Sequence, residues 1–163
     1  MMNTFSKNHF SKFFLRKKIK IIYKFNSNVL SLSAYVYLFP GRSMGARTAV
    51  AVCNRMCDRQ KDAVQGVLCL SFPLNVPGKP QTFVERSHGL HALSQTSVLF
   101  VSGTADNMCQ QNLLQNVMLV MKSPSAVHWV KDANHGLAVR GRTEESVLEE
   151  VNSQIIAWVL QHK

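Results

Sequence analysis

The sequence predicts an α/β fold in which about four parallel strands are flanked by helices. Two observations predict it. Short apolar runs of strand length recur from residue 34 onward, and stretches with helical apolar spacing alternate with them. Alternation of this kind implies a parallel sheet covered on its faces. No internal repeat interrupts the pattern.

Ala34–Phe39 (AYVYLF) is an aromatic-rich apolar run, expected as a buried strand. Met44–Cys57 is rich in Ala and Val and apolar on most faces, as a helix packed on a sheet should be. Val64–Ser71 (VQGVLCLS) is the second strand. Residues 72–97 form a long Pro/Gly-containing connection with a short helix around Thr82–Leu93. Ser97–Ser102 (SVLFVS) is the third strand, and Asn107–Met121 a helix with Leu113, Leu114, Val117 and Met121 on one face. Ala126–Val130 (AVHWV) is the fourth strand. Thr143 then offers an N-cap, with Glu144 and Glu145 in the favoured first turn. Val147, Val151, Ile155 and Trp158 form the apolar stripe of that last helix.

The 163 residues, 46% hydrophobic, suffice for one compact domain with a real core. The formal charge of +10 is confined to one end. Residues 1–57 hold ten Lys/Arg and no acid, and residues 58–163 balance nine against nine. A nucleic-acid-binding face would be spread over the folded domain, so the charge argues against that class. Cys53, Cys57, Cys69 and Cys109 form no CxxC pair and no metal-ligand spacing, and read as free thiols in a reducing compartment.

Residues 1–28 stand apart: Phe, Lys, Asn, Ile and Tyr make up 19 of them, and Gly, Pro, Ala and acids are absent. Three readings stay open: a mitochondrial transit peptide, a basic surface patch centred on Arg16, Lys17, Lys18 and Lys20, and translated AT-rich non-coding sequence. The expected division is a basic segment, 1–33, that is disordered or foreign to the rest, followed by a domain at 34–163. The longest apolar candidate for a membrane span, Val29–Phe39, is half the ~20 residues a crossing helix needs. The expected location is cytoplasmic or nuclear, or mitochondrial if the N-terminus is a transit peptide.

Gly41-Arg42-Ser43-Met44-Gly45 matches G-x-S-x-G. The match gains weight from its place between an expected strand and an expected helix, the setting of a nucleophile elbow. Ser43 would stand exposed on a strained turn, Gly41 and Gly45 would allow close packing, and the Met44 N–H would face a developing oxyanion. A serine hydroxyl needs a base, and the base needs an acid to hold its tautomer. Asp106 follows the third strand and His135 the fourth, both just past strand C-terminal ends where open α/β sheets place their sites. The order Ser…Asp…His is that of α/β-hydrolases. Read alone, Asp106 also fits the N-cap of a helix starting at Asn107. His135 alone is a loop histidine in a turn marked by Asn134 and Gly136. His88 and His91 are three apart but lack a third ligand, and read as a solvated loop. Arg42, Arg140 and Arg142 read as solvated charge before an anion site.

The stretches GRSMG with Arg47, VLCLSFPL, LFVSGTAD and HWVKDANHGLAVRGR resemble the α/β-hydrolase-like family of testis-expressed protein 30. That family includes a subunit of a nuclear histone-acetyltransferase (NSL) complex. The resemblance covers about residues 34–163. It implies a hydrolase with its triad at Ser43, Asp106 and His135, and no established substrate. Pro40 departs from the small residue the family favours before the elbow glycine. Residues 1–33 match nothing in the family's first half, and no HG-type loop supplies a second oxyanion N–H. The chain therefore reads as the C-terminal half of an α/β-hydrolase fold, lacking the first strands. In the resembled strand order the four strands form a contiguous block, leaving the nucleophile strand as an apolar edge that Ile19–Phe25 would have to cover.

The functional expectation is a serine hydrolase of ester-type acyl substrates, with the truncated form inactive as one outcome. The alternative is a non-catalytic α/β-hydrolase-like scaffold that binds a protein partner. No cofactor and no metal are expected.

Overall fold

The computed structural model describes residues 38–61 and 64–161. The segment 1–33, with its run Ile19–Phe25, and residues 34–37 of the first expected strand lie outside the described residues. In chain order the elements are β1 (Leu38–Arg42), α1 (Met44–Arg59), β2 (Gly66–Leu70), α2 (Phe83–Ala92, entered through a 3-10 turn at Pro80–Thr82), β3 (Ser97–Gly103), α3 (Gln111–Val120), β4 (Ser125–Val130) and α4 (Glu144–Gln161). The four strands form one sheet in the order β1-β2-β3-β4, every neighbouring pair parallel. This is the expected α/β fold.

The central strands explain their own burial. All of β2 is buried, and β3 is buried from Val98 on, as strands covered on both faces must be. Successive side chains point to opposite faces. Val67, Cys69, Val98 and Phe100 therefore join Ala46, Val50 and Cys53 of α1, Leu90 of α2, and Leu114 and Val117 of α3 in one core cluster. Phe72 meets Phe100 edge-on, with ring centroids 6.0 Å apart. Helix α4 lies along β3 and β4 and buries the expected stripe Val147, Val151, Ile155 and Trp158 together with Leu148 and Val159. Its N-cap is Thr143, whose Oγ1 accepts the Ser146 N–H at 3.2 Å.

Several element ends differ by one or two residues from expectation, and two larger boundary differences bear on the site. β1 runs to Arg42, so Pro40 and Gly41 are strand, paired with Leu68 and Cys69. Proline is tolerated there because parallel pairing alternates. Ser43 directs its N–H to the Leu70 carbonyl of the β2 chain. Residues an odd number of positions away, Pro40 among them, direct theirs away from β2, and no bond to β2 is lost. Helix α3 begins at Gln111 rather than Asn107, because residues 107–110 are taken up by a loop that side chains hold.

The four cysteines are free thiols. Cys53 and Cys57 both approach the Thr96 hydroxyl, at 3.6 and 3.4 Å. Burial pushes the Cys53 thiol up to about 11, and drives that of Cys69 upward as well. Among the described residues no helix is long and apolar enough to cross a membrane.

Candidate active site

β1 delivers Ser43 to the C-terminal edge of the sheet, where α1 begins. Ser43 has φ 52° and ψ −123°, in a region that side chains avoid. Such a conformation costs on the order of 1–3 kcal/mol and persists only where its surroundings enforce it. Here the Ser43 N–H donates to the Leu70 carbonyl and the Ser43 carbonyl accepts the Ala46 N–H, both at 2.9 Å. Gly41 completes the turn: a Cβ there would collide with the Gly45 carbonyl and lie 2.6 Å from the Ala46 nitrogen. A Cβ on Gly45 itself would meet nothing within 4 Å among the described residues. The absence of a side chain is therefore required at Gly41 and not at Gly45.

Met44 is the first residue of α1, and its N–H has no carbonyl one turn back to bond. No acidic residue stands in that first turn, so the helix's own first turn brings no carboxylate to offset its positive end at Ser43.

Asp106 stands in the turn after β3 and His135 in the loop after β4. The structure brings both to Ser43. Ser43 Oγ lies 2.9 Å from His135 Nε2, and His135 Nδ1 lies 3.0 and 2.9 Å from the two carboxylate oxygens of Asp106. An ionised carboxylate can only accept, so Nδ1 carries the proton and Nε2 is left to accept the serine O–H. A hydroxyl held against such an imidazole has its base in place. The Asp106 side chain is fully buried and the His135 ring about one quarter exposed. A buried carboxylate must be compensated. Asp106 accepts the Met108 N–H at 2.8 Å besides the imidazole. Its charge adds to burial in pushing the Cys109 thiol up to about 12. Asp106 is thus not a helix N-cap; the turn it closes precedes α3.

The two loops are stitched together. Thr104 N–H donates to Val130 O and Ala105 N–H to Ala133 O, both at 3.0 Å, and Asp132 N–H donates to Thr104 Oγ1 at 2.8 Å. Asn134 shapes the histidine loop by accepting the Gly136 and Ala138 N–H groups on Oδ1, at 2.8 and 3.1 Å. Among the described residues, the non-glycine positions with positive φ are Ser43, Ser71, Asp132 and Leu137. All follow the C-terminal ends of strands, so backbone strain gathers on the edge that carries the three residues.

Sequence reasoning missed two supports. Asn75 is wholly buried; its Nδ2 donates to Asn107 O at 3.1 Å, its Oδ1 accepts the Gln110 N–H at 3.3 Å, and its own N–H donates to Met108 O at 3.0 Å. It thereby grips the loop just past Asp106. The available signal was a lone amide in the apolar run Phe72–Val76. Arg42 differs from its expected solvated state. It is half-buried and donates from Nη2 to the Gly136 carbonyl at 3.1 Å. Burial lowers its pKa, and the Glu144 carboxylate works in the opposite direction.

The remaining candidates lie elsewhere. His88 is exposed, and His91 Nε2 sits 3.2 Å from Ser87 Oγ in its own helix. Arg140 is exposed, and Arg142 engages Ser146 and Glu150 at α4. Among the described residues no three His, Cys, Asp or Glu side chains gather as a metal site.

A family model described as an alpha/beta hydrolase domain matches residues 13–160. Several solved structures share the fold. An alpha-beta serine hydrolase homologue from Coxiella burnetii is 14% identical, with 88% of this chain and 55% of that one covered, at a TM-score of 0.52. Est1E from Butyrivibrio proteoclasticus, solved with ferulic acid bound, is 13% identical, with 89% and 66% covered, at 0.55. The esterase domain of a Rhodothermus marinus protein is 13% identical, with 91% and 68% covered, at 0.55. At these identities the likeness is one of fold. The chain spans about half the length of the Coxiella protein and two thirds of the other two.

Proposed function

This chain belongs to the alpha/beta hydrolase family, and on that premise we propose that it is a serine hydrolase of ester-type acyl substrates. The observation that carries the reading is the continuous hydrogen-bonded series from Ser43 Oγ through His135 to Asp106, on a strained Ser43. In this reading Ser43 Oγ attacks the substrate carbonyl while His135 Nε2 takes the hydroxyl proton. Asp106 stays ionised and holds the imidazolium that forms. The Met44 N–H donates to the oxyanion of the tetrahedral intermediate. His135 then gives its proton to the departing alkoxide, which leaves as the alcohol, and Ser43 keeps the acyl group. Water, deprotonated by the same histidine, then attacks the acyl carbonyl; the bond to Ser43 Oγ breaks, the acid leaves, and His135 returns the proton to Ser43. One oxyanion donor is typically worth about 10²–10³ in rate.

Within the family, the segments GRSMG, VLCLSFPL, LFVSGTAD and HWVKDANHGLAVRGR support a position beside testis-expressed protein 30. The division into a basic segment, 1–33, and a hydrolase-like domain from residue 34 belongs to the same proposal, although the family match begins at residue 13.

The test is labelling of the purified chain by a fluorophosphonate probe. Ser43 should carry the label, Ser43→Ala should abolish it, and Asp106→Asn should slow it by about 10⁴-fold by leaving the imidazole in the wrong tautomer. A folded chain that reacts with no such probe would overturn the hydrolase reading in favour of the non-catalytic scaffold.

A further inference from the structure

We propose that Arg42 is a positioning residue: its guanidinium holds the loop carrying His135 against the strand carrying Ser43, and so sets the Ser43–His135 contact. The inference rests on the hydrolase reading in one respect, that this contact is the catalytic one.

Arg42 and Ser43 are consecutive, and so are His135 and Gly136. The Arg42 Nη2–Gly136 O bond of 3.1 Å therefore runs beside the Ser43 Oγ–His135 Nε2 bond of 2.9 Å, between the same two segments. The two bonds serve differently. The serine–histidine bond must break and re-form with each proton transfer, whereas the arginine–carbonyl bond takes no part in the chemistry and persists through it.

The other ties of the histidine loop act elsewhere. Ala105 N–H to Ala133 O, and Asp132 N–H to Thr104 Oγ1, fix it to the loop of Asp106. The Asn134 bonds close it on itself. These hold the acid–base pair together without spanning to β1. The span is considerable, because β1 and β4 stand at opposite ends of the described sheet with β2 and β3 between them. The loop must fold back across three strand spacings, about 14 Å, to reach Ser43. Arginine suits the last part of that distance. Its long stem reaches from the strand end, and its charge strengthens a hydrogen bond to a neutral carbonyl.

The test uses the full chain and Arg42→Met, which keeps an apolar stem and removes the guanidinium. The fluorophosphonate labelling rate and kcat for a p-nitrophenyl ester should both fall about 10- to 100-fold, as a misplacement of ~1 Å does. KM should stay within about twofold, since substrate contacts are untouched. Arg42→Lys, which keeps a cationic donor on a shorter reach, should recover part of the rate. Should Arg42→Met fail to fold by circular dichroism, Arg42→Gln replaces it, with the same expected loss. A folded Met or Gln variant with the wild-type rate overturns the proposal. A folded wild-type chain that never labels overturns the hydrolase reading instead. Arg42 is then judged by the ¹⁵N shift of His135 Nε2, which reports the serine contact: a shift change in Arg42→Met supports positioning, and an unchanged shift overturns it.

Discussion

Gly103 and Ala133 meet backbone to backbone at the point where the loops of Asp106 and His135 leave the sheet. A Cβ built on Gly103 would drive into the Ala133 carbonyl and lie 2.9 Å from the Ala133 Cβ. The same alanine carbonyl accepts the Ala105 N–H. The loops of Asp106 and His135 are thus registered on each other before either side chain is considered.

Gly103→Ala should therefore force the two loops apart. The expected loss is about 1–3 kcal/mol or more, the usual cost of overpacking a site that cannot yield. Urea denaturation measures it. Probe labelling at Ser43 should fall further than the folded fraction does, because the His135–Asp106 pair is displaced along with the backbone.

The two elbow glycines should behave oppositely. Gly41→Ala places a methyl against the Gly45 carbonyl and the Ala46 nitrogen, and should destabilise by at least about 2 kcal/mol. Gly45→Ala enters open space in the first turn of α1, and should leave stability unchanged or raise it by up to about 1 kcal/mol, since alanine is the better helix former. Thermal melts of the pair decide this; equal losses would mean that the turn is not the one described.

Asn75→Ala should loosen the segment after Asp106. It removes the donor to Asn107 O and the acceptor of the Gln110 N–H in a fully buried setting, at a cost of about 1–3 kcal/mol. Asn75→Asp keeps the acceptor and loses the donor, so it should not restore the wild-type urea midpoint. Amide exchange at residues 107–110 should rise in both variants.

Glu150 predicts an acid-sensitive tie between β4 and α4. Its carboxylate lies 2.8 Å from His128 Nε2 and also accepts from Arg142. Burial opposes the charge, but the hydrogen bonds from Arg142 and His128 outweigh it and hold Glu150 below the usual carboxylate range. A carboxyl depressed on folding contributes its stability above its unfolded pKa, about 4.3, and loses it as pH falls through the folded value. The stability difference between wild type and Glu150→Gln should be present at pH 7, stay under about 1 kcal/mol because the pair is partly exposed, and vanish on acidification. A difference that persists undiminished far below the unfolded carboxyl value of about 4.3 would contradict the assignment.

Much of the fold was legible because its signals are local. β2 and β3 were readable as short apolar runs, and α4 from its stripe and the Thr143 cap. The serine elbow showed as a motif between strand and helix. The misjudged boundaries have non-local causes. α3 starts late because Asn75, on a different connection, holds residues 107–110. β1 extends through Pro40 because its pairing phase with β2 turns the proline nitrogen away from the ladder.

What the sequence by itself determined is the alternation of strands and helices and the placing of Ser43, Asp106 and His135 past strand ends, because periodicity and turn chemistry act over a few residues. What only the tertiary structure decided is proximity. Arg42 meets a carbonyl 94 positions away, Asn75 an amide 35 positions away, and Gly103 the backbone of Ala133. Each depends on how loops fold back over the C-terminal edge of the sheet, and no local pattern along the chain encodes that path.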